Sequence, residues 1–200
     1  MDILIVRHTR VNSPIDVLYG SHDVPLADSF PEEAKLIKEK LKHWFPFDVV
    51  YSSPLSRTLK LAKYLQGGNI HIDDRLKEIN FGPEWEMKKW SELPDFTDWF
   101  LNQSAPPKGE TYVDLTNRIK SFFDELIAQR PGEKILITAH AGVIRCAIAL
   151  YTGLPLKNIF RFNVNYGGIL HLKVQEYPEE DRILFPSILI PNLTINGFNL

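Results

Sequence analysis

Two short runs constrain the fold of this 200-residue chain more than any other feature. Ile3-Leu-Ile-Val6 and Ile135-Leu-Ile-Thr138 are apolar or β-branched throughout, with no polar alternation. A strand with one wet face alternates inward and outward residues, so an uninterrupted run reads as a strand covered on both faces. Residues 49–51, 70–72 and 168–174 are further strand candidates. Helical periodicity fills the gaps. In residues 31–45, Leu36, Ile37, Leu41 and Trp44 fall near helical spacing among Lys and Glu. Ser53-Pro54 has the form of an N-cap followed by proline at the first helical position, opening a helix to about Leu65 that Gly67-Gly68 ends. Residues 111–129 and 142–151 are two more helices. Strands alternating with helices predict an α/β three-layer sandwich, a mostly parallel central sheet with helices on both faces.

Residues 14–29 and 83–109 read as loops and short turns, rich in Pro, Gly, Asp and Ser or in Trp and Pro. Residues 1–177 are expected to form one domain. Residues 178–200 are too apolar for a disordered tail, and Pro186 and Pro191 argue against a helix or a central strand. They are expected to pack along a sheet edge or across the interface of a homodimer.

In open α/β sheets, ligands gather at the carboxyl ends of the strands. Arg7-His8, Ser52-Ser53 and Ala139-His140 each follow a predicted strand, so three polar clusters converge on one edge. Each also has an ordinary structural reading: a histidine leaving a strand, a capped helix start, a helix-entry histidine. The arginines tilt the balance, because guanidinium forks bind phosphate or carboxylate bidentately. The net charge of −2 gives no global case for nucleic acid or membrane surfaces, yet it would not reveal a basic pocket of a few residues. The single cysteine, Cys146, excludes an intramolecular disulfide and a cysteine zinc cluster, and its apolar flanks suit a buried small hydrophobe. The apolar run at the start is too short and acidic for a signal peptide, and no stretch of about 18 apolar residues exists, so a cytoplasmic protein with no membrane span is expected.

Taken together, six segments resemble the histidine phosphatase superfamily, the phosphoglycerate-mutase-like fold. Leu4-Ile-Val-Arg7-His8 is similar to its signature segment, and Tyr51-Ser-Ser-Pro-Leu-Ser-Arg57-Thr58 to its second phosphate-binding segment. Arg75-Leu-Lys-Glu78-Ile-Asn-Phe-Gly82 resembles the segment that supplies an acid, and His140-Ala-Gly-Val-Ile-Arg145 the second histidine motif. Gly20-Ser-His-Asp23-Val-Pro-Leu26 and Lys108-Gly-Glu110-Thr111 match subsidiary motifs. Each piece is weak alone; the family order and spacing make them strong. Within the superfamily, the stretches around Tyr19-Gly20 and Trp85-Glu86 look most like the α-ribazole phosphatases of cobalamin nucleotide-loop assembly.

The resemblance implies a phosphomonoester hydrolase needing neither metal nor cofactor. His8 would be the nucleophile, Glu78 the acid, and Arg7, Arg57 and His140 the fixed positive charge and hydrogen-bond donors around the phosphoryl group. Thr9, Tyr19, Gly20, Trp85 and Ala141 would complete substrate binding, helped by N–H groups after His140 and at the helix start near Ser53. Glu78 also has a plain reading as a surface carboxylate between Lys77 and Arg75. Trp85, Trp90, Phe96, Trp99 and Phe100 suggest a base-stacking platform, but their spacing fits a buried helical face better. His22 is a candidate for the pocket; His43, His71 and His171 read as peripheral or structural. No cluster of His and carboxylates resembles a zinc or two-metal site. The family pattern breaks at Thr9, where glycine is usual, and Asn12 comes too early for a family asparagine. It breaks again in Phe81-Gly82-Pro-Glu-Trp85-Glu86-Met87, which carries one extra residue and lacks a final glycine. Two other readings stand beside the phosphatase: a phosphoglycerate-type mutase and a catalytically silent phospholigand-binding protein.

Overall fold

The computed structural model describes residues 1–93 and 104–174, and beyond them the backbone of two short strands. The central sheet runs in the order β4 (Ile70–Ile72), β3 (Val49–Ser52), β6 (Lys134–Ala139), β1 (Asp2–Arg7), β8 (Ile169–Val174), β9 (Leu184–Phe185). The first four are parallel; β8 is antiparallel to β1, and β9 to β8. The two apolar runs are the centre of this sheet and lie side by side, Ile3 opposite Ile135 and Val6 opposite Thr138.

Successive side chains of a strand point to opposite faces, and β1 divides accordingly. Ile3 and Ile5 join one apolar cluster with α3 (Tyr112–Gln129) and α4 (Ala141–Thr152). Leu4 and Val6 join another with α1 (Phe30–Lys40) and α2 (Ser56–Leu65). All four β1 residues are at most 1% exposed. The chain is therefore the three-layer, mostly parallel α/β sandwich expected from its sequence.

Several boundaries differ from the sequence reading. Helix α1 stops at Lys40 rather than near residue 45, because Trp44 N–H turns back tightly to Leu41 O and Pro46 disfavours a helical residue before it. Helix α2 begins at Ser56, not after Ser53, and its start is held from outside: Asp23 Oδ1 accepts from both Ser56 N (3.0 Å) and Ser56 Oγ (2.9 Å). Within residues 14–29, β2 (Val17–Leu18) pairs antiparallel with β5 (Lys88–Lys89). This ribbon ties the first loop to the segment around Trp85. Strand β7 (Phe162–Val164), also unanticipated, pairs with β10 (Leu193–Ile195).

Candidate active site

Hydrogen bonds continue the sheet past the ends of its central strands. His8 N donates to Ala139 O and Ser53 N to Thr138 O, both at 3.1 Å. The three polar clusters are thus locked side by side, although about 130 residues of chain separate the first from the last. His8 and His140 are buried, with ring centroids 5.3 Å apart and planes at 63°.

The imidazole of His8 has a defined tautomer. Its Nδ1 lies 2.7 Å from Thr9 O, and a carbonyl can only accept, so Nδ1 carries the proton and Nε2 keeps its lone pair. Burial, then the charges of Arg7 and Arg57, hold its pKa well below 6.5, against the Thr9 bond that favours protonation. His8 is consequently neutral at neutral pH, the form in which an imidazole can act as a nucleophile. Burial and the neighbouring Arg57, His8 and Arg7 likewise keep His140 neutral. His140 Nε2 is 2.8 Å from Ser53 Oγ, a partnership the sequence did not announce.

Arg57 is completely buried and is aimed by two carbonyls, Gly20 O (2.7 Å) and His22 O (2.8 Å). Gly20 needs its left-handed φ of +38°, and a Cβ there would stand 2.5 Å from Ile79 O and from the Phe81 ring. Gly20 therefore acts on Arg57, and the exposed His22 contributes a carbonyl rather than its imidazole. Arg7 donates to Val164 O at 2.5 Å and lies over the Tyr166 ring, 3.8 Å from its centroid. Tyr19 sits beside Arg57, 5.2 Å from ring centroid to guanidinium carbon, and its hydroxyl is 3.1 Å from that of Tyr166. Each arginine thus has an aromatic neighbour, and Tyr166 carried no signal in the sequence.

Arg7 Nε, Arg57 Nε, Thr9 Oγ1 and His140 Nδ1 are buried with no hydrogen-bond partner. A buried unsatisfied polar group costs about 1–3 kcal/mol, so such groups normally mark a ligand position or a strain reservoir. These atoms belong to the residues packed around His8, and they suit a tetrahedral oxyanion. Thr9 does not take the left-handed conformation that its replacement of glycine raised as a concern; the non-glycine residues with positive φ among those described are Met87 and Lys108.

Glu78 stands at the start of α4. Its Oε1 accepts from Ile79 N and its Oε2 from Gly142 N, both at 3.0 Å. Ala141, the first residue of that helix, is buried next to it. A Cβ on Gly142 would overlap Glu78 Oε1, so glycine is what lets the carboxyl reach the helix end. Glu78 also lines a cavity of about 440 Å3 with Ser21, Asn80 and Arg118.

Two expectations need correction. Trp85 is 6% exposed and packs in the apolar cluster with Tyr112 and Leu115, so its indole is core and not a platform for substrate. Trp90, by contrast, is half-exposed, and Phe96, Trp99 and Phe100 lie outside the described residues. The helix start near Ser53 does not offer its first-turn amide to an anion, because Asp23 already occupies Ser56 N. Among the remaining histidines, His171 is paired with Asp2 at 2.7 Å, far from this edge along β8.

The sequence model of the histidine phosphatase superfamily (branch 1) matches residues 3–180. The chain belongs to this superfamily. It is accordingly a histidine phosphatase, an enzyme of phosphomonoester hydrolysis. The chain is 28% identical over 178 residues to the adenosylcobalamin/alpha-ribazole phosphatase of Escherichia coli, covering 84% of this chain and 87% of that protein. It is 27% identical over 189 residues to phosphoserine phosphatase 1 of Hydrogenobacter thermophilus, covering 86% of each. The fold is that of a mycobacterial glucosyl-3-phosphoglycerate phosphatase, with a TM-score of 0.79, 22% identity, and coverage of 94% of this chain and 97% of that one. Among the described residues, no group of three or more His, Cys, Asp or Glu is placed to hold a metal ion, and no helix is long and apolar enough to cross a membrane.

Proposed function

We propose that this histidine phosphatase works through a phosphohistidine on His8 Nε2. The observation that carries the reading is the tautomer of His8: Nδ1 is committed to Thr9 O, so the basic nitrogen is the one left to the site of Arg7, Arg57 and His140. Nε2 attacks phosphorus in line while the ester oxygen departs. Glu78 is the proposed donor of the proton that oxygen takes up. Water then attacks the phosphoenzyme, Glu78 taking its proton, and inorganic phosphate leaves. The equatorial oxygens carry negative charge throughout, and the buried donors of Arg7, Arg57, Thr9 and His140 are set to receive them. Tyr19, whose ring lies beside Arg57, is the candidate contact for the alcohol portion.

For substrate, we propose α-ribazole 5′-phosphate. Support comes from the Tyr19-Gly20 to Leu26 stretch and from the name of the Escherichia coli relative, whereas the Hydrogenobacter relative is named for phosphoserine. The deciding assay follows a generic aryl phosphate with excess chelator, then a panel of α-ribazole phosphate, phosphoserine and phosphoglycerates. Chelator-resistant turnover that disappears in His8→Ala is expected, with α-ribazole phosphate giving the highest kcat/KM. A metal requirement would overturn the mechanism. Isomerisation of phosphoglycerate exceeding its hydrolysis would make the protein a mutase, and phosphate-ester binding without turnover would make it a binding protein.

A further inference from the structure

The acid Glu78 sits on a segment with no regular structure of its own beyond the single 3-10 turn Asp74–Leu76. Backbone carbonyls in such a segment need partners from elsewhere. One side chain supplies most of them. Arg118, on α3, donates from Nη1 to Arg75 O (2.6 Å) and Lys77 O (2.8 Å) and from Nη2 to Glu78 O (3.1 Å). Its remaining donors, Nε and the second Nη2 hydrogen, go to Glu110 Oε1 (2.8 Å) and Oε2 (2.9 Å). All five guanidinium N–H groups are thereby used. Glu110 then completes the clamp: its Oε2 accepts from Asn80 N (2.9 Å), and its own N donates to Asn80 O (2.7 Å). The acid is thus pinned through its main chain on both sides, while the Ile79 and Gly142 amides fix its carboxyl.

We infer that Arg118 and Glu110 are positioning residues for general-acid catalysis, holding the Glu78 segment so that the carboxyl reaches the ester oxygen. The inference rests on the reading of Glu78 as the acid. Neither residue has to touch substrate. Both line the cavity that Glu78 faces, and their ion pair is only about one-fifth to one-quarter exposed, so the geometry is held in a partly dry setting. Lysine cannot replace Arg118, because an ammonium has three donors and no planar fork to span three carbonyls and a carboxylate.

A positioned acid matters in proportion to how badly the leaving group needs a proton. The test is kcat/KM, which reports the first phosphoryl transfer, across p-nitrophenyl, phenyl and benzyl phosphates. Arg118→Lys and the isosteric Glu110→Gln are expected to lose roughly 10–100-fold on benzyl phosphate, and less than about 3-fold on p-nitrophenyl phosphate, since protonation contributes about 10²–10⁴ where it is needed. Glu78→Gln run alongside should show the same slope, only steeper. Equal losses across the series for the clamp variants, with Glu78→Gln still leaving-group dependent, would reduce the clamp to a structural role and overturn the inference alone. A flat series for Glu78→Gln would remove the acid itself. Circular dichroism checks folding, and Glu110→Gln carries the test if Arg118→Lys does not fold.

Discussion

At the scale of single residues, charge and burial act on His8 in the same direction. Its ordinary value of 6.5 is lowered by burial and by two neighbouring arginines. The acid limb of kcat/KM that belongs to the nucleophile should therefore lie below pH 6.5. Arg57→Met removes one of the two cations opposing protonation, so that limb should move to higher pH, alongside a loss of about 10²–10³ in rate from the missing phosphate donor. A pH–rate profile of the variant checks both, and an unmoved limb would contradict the electrostatic account. Folding is linked to the same groups. His8 and His140 are both depressed in the folded state, so their contribution to stability is complete above about pH 6.5 and is lost as pH falls toward their folded values. Thermal melts should show the midpoint dropping steadily from pH 7 to pH 5. Met87 makes a different point. It stands where the family pattern has glycine, and it keeps the backbone glycine would use, with φ of +64°. A left-handed non-glycine residue costs about 1–2 kcal/mol, against about 0.5–1 kcal/mol of extra chain entropy for glycine. Met87→Gly is expected to be stabilising by roughly 0.5 kcal/mol, read from a chemical denaturation curve.

Elements position the site through their ends. Helix α3 opens with a complete capping box, Thr111 Oγ1 accepting from Asp114 N at 3.0 Å and Asp114 Oδ2 accepting from Thr111 N at 2.9 Å. Thr111→Ala should cost about 1 kcal/mol of stability in urea unfolding while leaving kcat nearly unchanged, because the box lies outside the clamp that the same helix carries. Helix α4 opens differently, with Gly142 against Glu78. Gly142→Ala should leave the melting temperature nearly unchanged yet lower kcat/KM on alkyl phosphates by at least tenfold, by pushing the carboxyl off the helix end. Both helix starts were legible within a residue or two, because Thr111 and the His140-Ala-Gly sequence are local signals. The start of α2 also falls two residues from the expected Pro54, but what holds it carried no local signal. Ser53-Pro54 has the local form of a cap, but the true partner is Asp23, brought from the first loop by the chain's fold.

Across the molecule, the sheet has two faces and two separate apolar clusters that share β1. The proposed site residues Arg7, His8 and His140 lie at or just past the carboxyl ends of β1 and β6, so their alignment depends on the register of these two strands. Two short strands within residues 178–200 reach this assembly: β9 pairs with β8, and β10 with β7, whose Val164 carbonyl holds Arg7. Truncation after residue 177 should bare the edges of β7 and β8, lower the melting temperature and promote association, measurable by light scattering of the shortened chain. A monodisperse truncated chain of unchanged stability and activity would show that the extension is dispensable.

The sequence by itself determined the two central strands, β1 and β6, and their burial, because a strand covered on both faces has no freedom to be polar. It also determined that Arg7-His8, Ser52-Ser53 and Ala139-His140 share one edge, because parallel strands bring their carboxyl ends together. What it left undecided is everything that needs two distant residues at once. The tautomer of His8 depends on where the Thr9 carbonyl points, and the aim of Arg57 on the Gly20 and His22 carbonyls. The reach of Glu78 depends on Gly142, and its support on Arg118 and Glu110. Trp85 illustrates the converse: an aromatic beside a catalytic segment looks like a ligand platform until the fold buries its indole. Hydrogen-bond partners and burial are properties of the packed chain, so only the tertiary structure could decide them.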